Sequence, residues 1–599
     1  MSREFVHERD LRFLLHEVHD LGSLTAYPYF EDHDRETFDL VLNTALKMAR
    51  DRLFTTFRDM DQNPPCFVDG AVRVHPMVAD FMKECGDGGW ISATAPYDLG
   101  GQQLPRLLIS ACVFVFAAAN YSASVYPMLT SGAARLIESF GSEDLKRSYI
   151  PNMFEGKWQG TMALTEPQAG SSLADITTQA QETGHGYFLI KGQKIFISAS
   201  DHDGVENVIN LMLARIKGAP AGVKGISLFV VPKKRVREDG SLVPNDLHIA
   251  GLYHKLGYRG APIAQLSMGE NDDCRGFLVG KPHMGLQYMF QMMNETRLEV
   301  GLGAAAIASA AYHAAVRYCK ERTQGRRLAA KQAGSPPVPI IEHADVKRML
   351  LFQRAIVEGS LSLGLQCCKY SDLSKTAPES DALKFQLLLE LLTPAAKTFP
   401  SEMGILSVSQ GLQCLGGYGY CDEFPLEQYY RDVRIHPIHE GTTGIHGIDL
   451  LGRKVVMKDG QALDLFRREL EDAIKTAEYY PELKPYAERL DKSLERLLEV
   501  TESLIPLKHS GRTELFLADA TLYLEFFGLV AIAWQWLLQG TACDKMLKTN
   551  PPQTEFNFYQ GKLYTMRYFF HYELPKTEAL AKRLTEADGL TTEMHVDWL

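Results

Sequence analysis

The 599-residue chain predicts a mostly α fold with a central β-domain. Three observations carry that expectation. Apolar residues recur at helical spacing through about the first 160 residues, and β-rich runs broken by turn residues fill about 161–275. From Met284 the helical period returns and persists into the last section. A chain of this length exceeds a single hydrophobic core. The changes of period divide it into an N-terminal helical domain (1–160), a β-domain (161–275), a helical bundle (276–456) and a C-terminal helical extension (457–599).

In the first section, Leu11, Leu14, Leu15 and Val18 mark one amphipathic face, and Phe38, Leu42 and Leu46 mark another. Leu107–Ala119 is apolar enough for a buried helix. Pro96–Gly101 reads as the turn between two such segments. Strands are expected over 187–197, 208–213 and 225–231. The bundle follows, with helices at Tyr312–Arg322, Val346–Tyr370 and Leu383–Leu392. Within it, Gly301-Leu302-Gly303-Ala304-Ala305-Ala306 imitates a dinucleotide fingerprint, but no strand precedes it; close helix–helix packing accounts better for the small residues. In the last section Leu490, Leu494, Leu497 and Leu498 form a core-facing stripe. Leu515–Leu538 has the length of a membrane span, yet Asp519, Glu525 and Gln535 interrupt it, which favours a buried helix over a span.

Composition excludes several functions. The net charge of −11 argues against a nucleic-acid binder, whose phosphate-tracking surface wants a basic excess. Ten scattered cysteines without a CxxC make neither a zinc framework nor a secreted disulfide scaffold, so no metal site is expected. The N-terminus mixes acids with bases and has no secretory hydrophobic run. A cytoplasmic protein is the expectation.

Chemistry concentrates in Arg431–Lys454, RDVRIHPIHEGTTGIHGIDLLGRK. Within it Glu440 sits among apolar and weakly polar neighbours, which desolvate it and raise its pKa as a general base requires. Gly441 gives a flexible backbone beside it and Thr442 a hydroxyl two positions on. Ile445, Ile448 and Leu451 then recur at helical spacing, so the stretch reads as a loop delivering a carboxylate to a helix start. The alternative is an N-terminal helix acid favoured by the macrodipole.

Four motifs in order along residues 80 to 455 resemble the acyl-CoA dehydrogenase family. They are Met162–Ser172 (MALTEPQAGSS), Gln193–Ser198 (QKIFIS), Asn294–Arg297 followed by Glu321–Gly325 (NETR, ERTQG), and Gln413–Tyr420 (QCLGGYGY) leading to Glu440. The resemblance implies FAD as cofactor and α,β-dehydrogenation of an acyl-CoA thioester to the trans-2-enoyl-CoA. It makes Glu440 the base that removes the α-proton. It places Met162, Leu164 and Thr165 along the flavin ring, with Ser198 as a second hydroxyl contact, Phe196 stacked on the ring and Thr442 nearby. Ser171, Asn294, Arg297 and Gly441 would face the CoA thioester, Ser171 also lying near the cofactor. Arg322 and Gln324 would reach the FAD pyrophosphate of a neighbouring subunit, and Gln413, Gly416 and Gly417 the adenosine half. Some members carry the base on the helix before the arginine; that position is Thr296 here, and Glu295 is rotated about 100° away. His439 stands where the family often has tyrosine, and Gly444 where it often has glutamine.

The extension beyond about 457 is similar to that of the longer bacterial members, a subgroup that includes enzymes of 3-(methylthio)propanoyl-CoA as well as of fatty acyl-CoAs. By that likeness the expected partners are an acyl-CoA, an electron-transfer flavoprotein and a second copy in a homodimer. Two alternatives stay open: an acyl-CoA oxidase passing electrons to O2, and a catalytically silent CoA- or flavin-binding scaffold.

Overall fold

The computed structural model describes residues 4–330 and 335–599. Two compact units are formed, one from Asp39–Pro105 and Val115–Thr296, the other from Met1–Phe38, Arg106–Phe114 and Arg297–Leu599.

Among the described residues, the first unit holds all the strands. A small hairpin pairs β1 (Cys66–Val68) with β2 (Ala71–Arg73). The helical pattern of this section did not announce it, because all three residues of β1 are exposed and carry no burial alternation. The main sheet comprises β3 (Trp158–Ala163), β4 (Gln179–Glu182), β5 (Phe188–Ser198), β6 (Asn207–Ile216) and β7 (Ile226–Pro232), then, after a short hairpin β8 (Lys234–Val236) and β9 (Leu242–Pro244), β10 (Leu247–Leu252), β11 (Ile263–Met268) and β12 (Arg275–Val279). The three strands expected from sequence are β5, β6 and β7. Strand β4 pairs with both β5 and β6, while β12 joins β5 to β7 and β7 joins β6. These five therefore close a ring, the barrel-like β-domain that the family resemblance implies. Ala180, Ile190, Met212, Phe229 and Val231 fill its core.

The second unit is helical. Helices Ala344–Thr376 and Glu379–Leu415 pack along their length, and Gly301 explains the false dinucleotide motif. A Cβ built there would lie 2.1 Å from the Ala396 carbonyl oxygen, so glycine permits a close crossing between helices Gly285–Glu321 and Glu379–Leu415. Helix Ala520–Leu547 is the core of the C-terminal section, burying Phe526, Phe527, Trp534 and Trp536. Segments Arg106–Phe140 and Thr513–Leu547 are long and apolar enough to cross a membrane, but 89% and 61% of their most apolar windows are buried inside the protein. The ends of the chain meet in this unit. Arg9 pairs with Glu17 and Glu555, and the buried Lys562 ammonium bonds Asp10 (2.6 Å) and Glu358 (2.9 Å).

Candidate active site

In the helical unit, the chain leaves helix Leu426–Val433, passes through a short turn and enters helix Thr443–Asp449, which continues as a π-helical turn to Lys454. Thr442 caps that helix, its hydroxyl oxygen accepting from the Ile445 N–H at 3.4 Å. Glu440 lies two residues before the cap with φ +54°, and Gly441 follows at +93°. A non-glycine residue in the left-handed region is costly and is held there by its surroundings. Glu440 is thus outside the first helical turn, and the macrodipole alternative does not describe it. Burial raises the pKa of this carboxyl, while the charges of Arg297 and Lys397 pull it back down. Among the described residues no side chain hydrogen-bonds the carboxylate.

The turn is surrounded by buried polar groups. Arg297 is only 4% exposed, with its guanidinium 3.8 Å from Asp449; it is not the solvated arginine that its helical setting would permit. Lys397 is fully buried and donates to the carbonyls of His436 (2.6 Å) and Gly441 (2.8 Å). His446 contacts the Glu440 carbonyl at 3.1 Å, and His436 and His439 lie edge to face. Burial holds these imidazoles neutral: His436 is pushed down to about 3, His446 to about 2, and His439 well below its usual range. Behind the turn, Gly447 touches the C-terminal section, since a Cβ there would meet the Ala520 carbonyl at 2.7 Å.

Elsewhere in the same unit the structure gathers five other expected residues. Arg322, Gln324, Gln413, Gly416 and Gly417 line one open cavity of about 570 Å³. The side chains of Arg322, Gln324 and Gln413 are exposed, and a Cβ added at Gly416 or Gly417 would meet nothing within 4 Å.

In the β-containing unit, Met162 is buried in β3, opposite Leu211 of β6. Leu164 and Thr165 follow, partly exposed, and are fixed through their carbonyls: Lys194 donates to Leu164 (2.9 Å) and the Ile195 N–H to Thr165 (2.9 Å). The Lys194–Glu166 pair is completely buried at 2.8 Å, and Glu166 also accepts from the Thr177 and Thr178 N–H groups. Phe196 has φ +59° and is 57% exposed, its ring 4.5 Å from that of Tyr253. Tyr253 in turn lines a cavity of about 550 Å³. Ser198 is partly exposed and hydrogen-bonds with the Tyr258 phenol. Ser171 is exposed at the end of the Met162–Ser172 loop, and Asn294 is half-buried on helix Gly285–Glu321. Glu295 is engaged by Arg135, so it is no rival to Glu440.

Family profiles cover nearly the whole chain. The acyl-CoA dehydrogenase N-terminal, middle and C-terminal domains match residues 46–157, 161–270 and 283–455, and "Acetyl-CoA dehydrogenase C-terminal like" matches 466–595. The chain belongs to the acyl-CoA dehydrogenase family, and is accordingly an FAD-dependent oxidoreductase. It is 37% identical to 3-methylmercaptopropionyl-CoA dehydrogenase of Ruegeria pomeroyi, over 84% of this chain and 85% of that one. It is 32% identical to a butyryl-CoA dehydrogenase of Syntrophomonas wolfei, over 98% and 97%. The crystal structure of Caenorhabditis elegans ACDH-11 in complex with C11-CoA shares the fold, with a TM-score of 0.74 at 19% identity over 96% and 94% of the two chains.

The residues present fit FAD. Two glycines with open space above them permit close approach of a ligand, an exposed aromatic in a strained strand conformation offers a stacking face, and Thr165 has a partly exposed hydroxyl. Sequence reasoning missed the groups that hold the Met162–Ser172 loop, Lys194 and Glu166, and those that hold the Glu440 turn, Lys397 and His446. A signal for Lys397 was present. It is the one cation between Leu387 and Phe399, an otherwise largely apolar helical run, and a lysine so placed is buried at a cost that some partner must offset.

Proposed function

We propose that this protein oxidises an acyl-CoA thioester between Cα and Cβ to the trans-2-enoyl-CoA, with Glu440 as the base that removes the α-proton. The observation that carries the reading is the Glu440 carboxylate: desolvated, raised in pKa, without a side-chain hydrogen bond, and projected from a strained turn. A base so placed is more basic than an ordinary carboxylate and has no side-chain hydrogen bond to compete for it. Bound FAD supplies the oxidant for the β-hydrogen and its bonding electrons.

Within this reading Met162, Leu164, Thr165, Phe196, Ser198 and Thr442 attend the flavin, and Gln413, Gly416 and Gly417 the adenosine half. Ser171, Asn294, Arg297 and Gly441 attend the thioester side, and Arg297 adds a positive charge that keeps Glu440 ionised until the proton is transferred. The exposed Arg322 and Gln324 side chains are suited to reach a second subunit, which supports a homodimer. The four profile ranges support the four-domain division at 160, 275 and 456. Electron-transfer flavoprotein as acceptor and a cytoplasmic location complete the proposal; buried free cysteines support the latter. Relatives named for 3-methylmercaptopropionyl-CoA and butyryl-CoA support a short acyl group.

The test is an anaerobic titration of the yellow protein with butyryl-CoA, 3-(methylthio)propanoyl-CoA and longer straight-chain acyl-CoAs, following the flavin band. Bleaching by a short member is expected. Rapid re-oxidation on admitting air would favour an oxidase, and a flavin that no acyl-CoA bleaches would remove the dehydrogenase reading.

A further inference from the structure

We propose that Lys397 is the positioning residue for the catalytic base, its buried ammonium tying the two ends of the Glu440 turn together and favouring the ionised carboxylate. This deepens the Glu440 reading and rests on it. The argument begins with helix packing. Gly301 lets helix Gly285–Glu321 approach so closely that an added Cβ would come within 3.1 Å of the Lys397 Cα. On the first helix, Arg297 lies one turn before Gly301. Both cations are thereby brought to the turn that contains Glu440.

The bonding of Lys397 is unusual for a fully buried lysine. Its hydrogen bonds go to two backbone carbonyls, of His436 before Glu440 and of Gly441 after it, and not to a carboxylate. Those two anchors bracket the residue with φ +54° and the glycine with φ +93°. Removing them leaves two carbonyls without this donor and loosens the hold on the left-handed pair, which His446 still contacts at the Glu440 carbonyl. The charged and titratable groups facing the ammonium are Glu440, Arg297, Glu402 and the histidines 436, 439 and 446. The histidines are neutral, so the field at Glu440 comes from Lys397 and Arg297. Burial lowers Lys397 to about 7, against the opposing pull of Glu440. Its charge is therefore adjustable within the working pH range, whereas that of a guanidinium is not.

The experiment is single-turnover flavin bleaching by the most effective acyl-CoA, measured against pH on the FAD-loaded native, K397M and K397R proteins. K397M should move the acid limb of the profile upward by about one pH unit, slowing bleaching about tenfold on the acid side, and recover much of the native rate in alkali. K397R, charged at every pH, should keep the acid limb at its native position. An equal slowing of K397M at all pH values, with the limb unmoved, would mark Lys397 as purely structural and overturn the proposal. Should K397M fail to retain FAD, K397R decides alone: an acid limb displaced despite the retained charge overturns the proposal, and an unmoved limb supports it. E440Q separates the two readings. If it still bleaches, the base assignment itself is wrong; if it does not and K397M leaves the limb in place, only the role of Lys397 is lost.

Discussion

Two loops in this protein are each held by a fully buried lysine, and the contrast between them separates structure from chemistry. In the β-containing unit, Lys194 grips the Met162–Ser172 loop with a carboxylate in direct contact, Glu166 at 2.8 Å. Burial brings Lys194 down to about 8, and Glu166, despite the same desolvation, is driven to about 2 by the lysine and its hydrogen bonds. Both are ionised at neutral pH, so the pair is inert. In the helical unit, Lys397 holds the Glu440 turn by carbonyls alone, and Glu440 is left unbonded with its pKa raised. The same two residue types make a clamp where they touch and leave a desolvated, unbonded carboxylate where they are held apart.

The largest expected effect breaks the reactive half of that contrast. E440Q should slow bleaching by acyl-CoA at least about 100-fold, the scale of a lost general base, while the protein stays yellow; stopped-flow absorbance checks both. Next, K194M leaves Glu166 charged and buried without its cation, which should cost about 3–5 kcal/mol of stability. In urea denaturation K194M should therefore be less stable than K397M, although K397M bleaches more slowly near pH 6; the opposite order of stabilities would dissolve the comparison. A third test uses the neutral histidines. Their native pKa values are lowered below the unfolded value of about 6.5, so stability is fully present above that pH. It is lost as the pH falls, by up to about 1.4 kcal/mol per pH unit for each histidine. The thermal midpoint should drop below about pH 6.5, and H446Q should flatten the decline. The smallest effect is expected for F196A. Its exposed ring contributes little to folding, so stability should hold while FAD affinity, measured by fluorescence titration, weakens about two- to tenfold.

Much of this was legible in the sequence. The change of period near residue 160 announced the β-domain because strands and helices bury side chains at different intervals. Glu440 was conspicuous as a carboxylate among apolar residues. Arg322, Gln324, Gln413, Gly416 and Gly417, scattered over almost 100 positions, were linked only by family likeness, and the fold places them around one cavity. The burial of Arg297 and the role of Lys397 were not legible, since both depend on how closely two helices cross at Gly301, and a glycine in sequence does not reveal what approaches it. The β1–β2 hairpin escaped because its strands are three residues each and β1 is wholly exposed, too short and too little buried for an alternation to show.

The ion pairs joining Asp10 to Lys562 lie 552 residues apart in the chain. A ribosome adding roughly 5–20 residues per second needs about half a minute to two minutes to cover that distance. Throughout that interval the nascent N-terminal segment has its acidic groups, Asp10 and Glu17, but neither Lys562 nor the Glu555 that engages Arg9. The helical unit therefore cannot close until helix Gln553–Tyr568 has been made, and helix Glu8–Arg12 waits for it.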